Sequence, residues 1–149
     1  MDCVFIGDSI AQGVALYRPE CQNQAAQGRT TGQTLLRVHQ VSDQIHHVLI
    51  SVGSNDKGQS ARELRSQAQS LRSGLAQHCV TWLLSPNNEI ARKIVSQIAA
   101  EHGDRVIDVR PHVNTAQDLV HPGRQGYQQL AALTRQSGCA LVTKPGEFR

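Results

Sequence analysis

The sequence predicts a doubly wound α/β domain, with a mostly parallel sheet of about five strands and helices on both faces. Three observations predict it. Short apolar runs alternate along the chain with segments whose apolar residues recur at helical spacing. The run Val48-Leu49-Ile50-Ser51-Val52 is almost continuously apolar and stops at Gly53, the pattern of a strand buried on both faces. Residues able to do chemistry fall just after predicted strands, at the carboxyl edge where such sheets bind ligands.

Each element follows from local signals. Val4-Phe5-Ile6 is the first strand, and a short helix from Ser9 through Leu16 ends at Arg18-Pro19. Residues 21 to 25 are read as a short, polar second strand. Thr31 is placed to cap a helix carrying Leu35, Leu36 and Val38. After the strand at 48–52, Ser60-Ala61-Arg62-Glu63 reads as a capping box, with Ala61, Leu64, Ala68, Leu71 and Leu75 behind it at helical spacing. Val80-Thr81-Trp82-Leu83-Leu84 is the next strand, closed by Ser85-Pro86. Asn87 or Asn88 caps a helix bearing Ile90, Ile94, Val95 and Ile98 that ends near Gly103. Val106-Ile107-Asp108-Val109 is the last strand. The final helix carries Tyr127, Leu130, Ala131 and Thr134 and stops at Gly138, and the tail 139–149 reads as irregular.

A chain of 149 residues fits one domain, 1–149, large enough to bury a core without staples. A net charge of +3, with no Lys/Arg run and no aromatic cluster, excludes a nucleic-acid-binding surface of the usual kind. Aromatic residues are 3% of the chain, which argues against a stacking platform for sugars and leaves Trp82 and Tyr17 as candidates to line a site. No stretch approaches the roughly 20 apolar residues of a membrane span. No basic segment followed by an apolar run and a cleavage site opens the chain, so the expectation is a cytoplasmic protein, with a virion-associated or exported form as the alternative. Cys3, Cys21, Cys79 and Cys139 lack metal or redox spacing and are expected as buried free thiols; a Cys3–Cys21 contact between neighbouring strands is the alternative. No His/Cys pattern suggests a metal. Oligomeric state is not written in the sequence.

Four pieces carry the chemistry. Gly7-Asp8-Ser9 ends the first strand and sets a hydroxyl at the sheet edge. A serine needs a base, and His121 stands out among seven histidines because Asp118 precedes it by three residues, close enough to hold its ring N–H and fix the tautomer. His39, His46, His47, His78, His102 and His112 are read as solvated or capping. Acyl transfer also needs donors aimed at an oxyanion. Gly28 can offer a backbone N–H, Asn55 a side-chain amide, and Ser9 its own N–H at the start of a helix.

Gly7-Asp8-Ser9-Ile10, Gly28, Gly53-Ser54-Asn55-Asp56 and Asp118-Leu119-Val120-His121 resemble, in order and spacing, the four blocks of the SGNH (GDSL-type) hydrolases. Gly28-Arg29-Thr30-Thr31 is similar to the second block of the family's small aryl- and acetyl-esterases, and His121-Pro122 with Gly126 to its usual fourth-block ending. The resemblance implies a three-layer α/β/α, flavodoxin-like fold and a serine esterase without a cofactor. It implies Ser9 as nucleophile, His121 as base, Asp118 as its orienter, and Ser9, Gly28 and Asn55 as the oxyanion hole. Asp8, Arg29 and Asp56 are further candidates for substrate contact. Two features depart from the pattern: the chain is short for the family, trimming the loops that shape acyl and alcohol pockets, and Gln27 stands where an apolar residue often precedes the glycine.

Short loops imply an open site and a small acyl group. The expected substrate is a short-chain, acetyl-type ester, with O-acetyl groups on carbohydrate as its natural form. The alternatives are a lysophospholipase or thioesterase, an acyltransferase, and, from another class, a virion or surface binding module with little catalysis.

Overall fold

The structure, a computed structural model, describes residues 2–115, 118 and 120–136. The expected helix stop at Gly138, the tail 139–149 and Leu119 lie outside the described residues. Five strands, β1 (Cys3–Gly7), β2 (Gln22–Asn23), β3 (His47–Val52), β4 (Cys79–Leu84) and β5 (Arg105–Asp108), form one sheet in the order β2-β1-β3-β4-β5. All neighbours are parallel. Among the described residues five α-helices accompany them, one after each strand: α1 (Ser9–Ala15), α2 (Thr31–Leu35), α3 (Ala61–Ser73), α4 (Glu89–His102) and α5 (Arg124–Gln136).

The period-2 geometry of the strands sorts their side chains into two cores. Val4, Ile6, Val48, Ile50, Val80, Trp82 and Leu84 meet α3 and α4 on one face. Cys3, Phe5, Leu49, Leu83 and Ile107 meet α1 and α5 on the other. Helices therefore cover both faces and give three α/β/α layers. The chain winds outward from β1 toward β2 and from β3 toward β5. The β1/β3 boundary is the switch point, where a crevice opens at the strand ends.

Gly7 is what lets the chain leave β1 there. Its φ is +113°, and a Cβ would lie 1.9 Å from the Ser51 carbonyl oxygen. Only glycine permits both, and the close approach brings the Asp8 N–H within 3.0 Å of that same oxygen.

Several boundaries differ from the sequence expectations for local reasons. Thr30, not Thr31, caps α2, in a full capping box with Gln33. That helix ends at Leu35, leaving Leu36 exposed and Val38 in a separate 3-10 turn. The box expected at Ser60 is half formed: Ser60 Oγ accepts the Glu63 N–H, but the Glu63 carboxylate meets the Ser60 hydroxyl instead of its backbone. Asn88 is the cap of α4, and Ile90, in the helix's first turn, is exposed. Trp82 is fully buried and lines no site, and Tyr17 packs partly buried against the α1/α5 core.

The free-thiol expectation for Cys3 and Cys21 is overturned. Val4 pairs with Gln22 in the β1–β2 register, so the preceding residues stand side by side, with Cα atoms 4.8 Å apart and a disulfide between them. No cysteine among the described residues is free. With only two residues in β2, this bridge is the main covalent constraint on the sheet edge that leads to Gly28. Replacing both cysteines by alanine should cost about 3 kcal/mol, the chain-entropy value for a loop of this length, measured by denaturant unfolding. A loss under about 1 kcal/mol would mean the bridge constrains little.

Candidate active site

The loops after β1, β2 and β3 and the loop into α5 come together at the switch point. The first is the β1–α1 turn. Asp8 caps α1, its Oδ1 accepting the Ile10 N–H at 3.1 Å, and Ser9 opens the helix. The Ser9 N–H thus lies in the first turn of a helix, where backbone donors have no intrahelical partner.

The second loop leads into α5. Ser9 Oγ lies 2.9 Å from His121 Nε2, and His121 Nδ1 lies 3.1 Å from Asp118 Oδ2. Asp118 accepts at that oxygen, so Nδ1 carries the ring proton and Nε2 is left to accept from Ser9. Asp118 Oδ1 also receives the N–H groups of Val120 (2.8 Å) and His121 (2.7 Å). Those bonds, first the His121 N–H, then that of Val120, then the His121 ring, hold the Asp118 carboxyl down to about 2. It stays ionised well into acid. The backbone of His121 is itself anchored, its carbonyl accepting the Asn114 N–H at 3.0 Å beside a Val113–Pro122 bridge. His121 and Asp118 are 42% and 44% exposed, so this side of the site is open.

The third piece is formed by the loops after β2 and β3. Gly28 has φ +79° and nothing within 4 Å of where a Cβ would lie, so its conformation, not its space, calls for glycine. Asn55 is exposed, and its Nδ2 donates to the Arg29 carbonyl at 3.0 Å, using one of its two hydrogens and tying the two loops together. Asp56 fastens the same junction from below. It is buried and accepts from the Thr31 N–H (3.1 and 3.2 Å) and hydroxyl (2.8 Å).

The three further candidates for substrate contact each have a partner within the fold. Asp8 is fully buried and Asp56 is occupied by Thr31. The Arg29 guanidinium turns back to donate to the Gln24 carbonyl at 2.7 Å, and desolvation, then the nearby Arg37 charge, lowers its pKa. Through these bonds the three residues brace the loops around the site.

Two contributors escaped the sequence reading. Asn88, expected only as a cap, also donates from Nδ2 to the Gly53 carbonyl at 2.8 Å while its Oδ1 caps α4. It thereby pins the Gly53–Asn55 loop. Tyr127 packs its ring against Gly13, where a Cβ would come within 2.3 Å. Gly13 lies one turn beyond Ser9 on the same helix face, and a glycine inside a short helix is the signal that pointed to a close neighbour.

Chemically, the arrangement offers a hydroxyl beside an imidazole whose other ring nitrogen is held by a carboxylate. Among the described residues no cluster of His, Cys, Asp or Glu could hold a metal ion, and no helix is long and apolar enough to cross a membrane.

No family model and no curated protein matches the chain. Solved structures do. A GDSL-like lipase from Bacteroides thetaiotaomicron is 20% identical with a TM-score of 0.71, over 90% of this chain and 85% of that one. A psychrotrophic esterase from Pseudoalteromonas sp. is 17% identical with a TM-score of 0.68, covering 91% and 90%. The catalytic domain of a peptidoglycan O-acetyltransferase from Streptococcus pneumoniae is 17% identical with a TM-score of 0.67, covering 91% and 90%. The chain has the fold of the GDSL-type (SGNH) hydrolases.

Proposed function

We propose that the protein is a serine ester hydrolase acting on short acyl esters, with O-acetyl groups on carbohydrate as the natural substrate class. The observation that carries this is the unbroken contact Ser9–His121–Asp118, at 2.9 and 3.1 Å, between residues 112 apart in the chain. Ser9 Oγ attacks the ester carbonyl as its proton passes to His121 Nε2. The developing oxyanion is met by the N–H groups of Ser9 and Gly28 and by the Asn55 amide. The bond to the alcohol then breaks, His121 returns the proton to the leaving oxygen, and an acyl-Ser9 remains. Water repeats the sequence, releasing the acid and restoring Ser9. Asp118, ionised throughout, stabilises the imidazolium each time it forms.

The test is a series of p-nitrophenyl esters of increasing acyl length, followed by an O-acetylated polysaccharide. Activity highest on acetyl and falling with length supports the reading. A preference for long acyl chains would instead support a lysophospholipase or thioesterase. No turnover at all would support a binding module. Asn55→Ala is expected to lower turnover roughly a hundred- to a thousandfold, as loss of one oxyanion donor does; a change under threefold would remove Asn55 from the oxyanion hole.

A second reading is favoured by the fold shared with an O-acetyltransferase domain. The same acyl-Ser9 could pass its acetyl group to a sugar hydroxyl. Acetylated sugar formed in competition with acetate release would identify it. The Cys3–Cys21 bridge favours an oxidising location for either activity.

A further inference from the structure

Next to the proposed nucleophile lies a buried acid that the mechanism above leaves unused. Asp8 is fully buried. Its N–H donates to the Ser51 carbonyl (3.0 Å), its carbonyl accepts the Gln12 N–H (3.0 Å), and its Oδ1 accepts the Ile10 N–H (3.1 Å). Its Oδ2 has no partner. Neither has the Ser51 hydroxyl, also fully buried, and these two are the orphaned buried side-chain atoms among the described residues. The Ser51 hydroxyl acts on the carboxylate to favour its ionised form, although the pair stands outside strict hydrogen-bond geometry.

A buried carboxylate oxygen without a full partner is costly, and a capping role alone would be met as well by a serine or an asparagine. Burial pushes the Asp8 carboxyl up to about 6, against the opposing pull of Ser51, Ile10 and Ala11. The charged and titratable groups bearing on it are Asp56, after β3, which raises it further, and Tyr127 on α5, which feels its charge. No cation is among the groups that shift it.

We propose that Asp8 is a positioning residue for Ser9: its carboxylate grips the first turn of α1 and, with the Ser51 hydroxyl on β3, sets the direction of the Ser9 hydroxyl and N–H. The inference rests on the reading of Ser9 as nucleophile. When Asp8 is ionised, Oδ1 accepts from Ile10 and the nearby Ser51 hydroxyl favours the charge. When it is protonated, one oxygen becomes a donor, the Ser51 hydroxyl must turn to accept, and the hold on the helix start weakens. Turnover then requires Asp8 ionised as well as His121 unprotonated, so the acid side of the pH profile involves two protons.

The test compares wild type, Asp8→Asn and Ser51→Ala in kcat, KM and unfolding midpoint across pH. Asp8→Asn is expected to lose roughly ten- to a hundredfold in kcat, the scale of a reacting group displaced by about 1 Å, with KM nearly unchanged. Its acid limb should fall from two-proton to one-proton steepness. Ser51→Ala removes a hydroxyl that favours the carboxylate, so its acid limb should move to higher pH. Wild-type kcat in Asp8→Asn, or an acid limb unchanged in both variants, overturns the proposal. The unfolding arm is independent of catalysis. Folded Asp8 keeps its proton to about 6 while the unfolded chain releases it near 3.8. Native protein therefore binds more protons in that window, and wild type should lose stability relative to Asp8→Asn as pH rises through it. A constant difference overturns the buried titration. If wild type hydrolyses no ester, the esterase reading fails, and the unfolding arm still reports on Asp8.

Discussion

Alanine at position 9 is expected to lower ester turnover at least about a thousandfold while leaving the fold and KM nearly unchanged. The size of the effect follows from what remains. Without Ser9 Oγ no acyl intermediate can form, and His121 can at best activate water held near the oxyanion donors, the residual catalysis seen when a triad member is lost. The fold should not suffer, because Asp8 supplies the cap of α1 and Ser9 Oγ makes its one side-chain bond to His121. His121→Ala should cost about as much, and the double variant should be no worse than either alone, since the two residues act as one unit. The check is kcat for p-nitrophenyl acetate in the three variants, with mass spectrometry of wild type after an organophosphonate. Additive losses, or a label on a residue other than Ser9, would sink the assignment of nucleophile.

How much of this could be read from the chain depends on the range of each interaction. The strands were legible because burial on both faces writes itself as apolar runs, as in Val48–Val52, and two of their carboxyl ends were legible at Gly7 and Gly53. The contact of Ser9 with His121 and of His121 with Asp118 was legible because each residue sits at a fixed place relative to a strand end or a neighbour in the sequence. What failed involved partners distant in sequence. The Cys3–Cys21 bridge, read only as the alternative to free thiols, depends on β2 lying beside β1 in one register, and the polar residues Gln22 and Asn23 signal that register weakly. The bond from Thr31 to Asp56 went unread because the two residues are 25 apart. His78 was read as a solvated or capping residue, yet it is buried with Nδ1 2.6 Å from the Ile45 carbonyl, a contact made by the fold and not by the helix end near it. His47, at the start of β3, bonds the Thr81 hydroxyl at 2.8 Å, and desolvation first, then the Arg18 charge, lowers its pKa to about 4. It stays neutral over the working range and so acts as a structural hydrogen-bonding group.

The largest expected loss of stability lies on the opposite side of the sheet from Ser9, in a buried network with no part in catalysis. Asp104 follows α4 and takes a two-pronged bond from Arg72 of α3, Nε to Oδ2 at 2.8 Å and Nη2 to Oδ1 at 2.9 Å. The Trp82 indole N–H from β4 adds a third bond to Oδ2 at 2.9 Å, and Arg72 Nη1 reaches the Leu75 carbonyl at 3.1 Å. The side chains of Arg72 and Asp104 are 8% and 4% exposed, so water screens the pair little. Each charge has a partner, and one carboxylate joins two helices and a strand. Asp104→Ala strands a buried guanidinium and a buried indole N–H together and should cost about 3–5 kcal/mol, or roughly 10 °C in Tm for a chain of this size. Arg72→Met leaves the carboxylate one donor and should cost less. Replacing both with apolar residues should recover part of the loss, because the desolvated charges then vanish as a pair and only Trp82 lacks an acceptor. Denaturant unfolding of the two single variants and the double one measures the coupling. If Asp104→Ala costs under 1 kcal/mol, or the two single losses simply add, water reaches the pair and the network does not hold the two helices to the sheet.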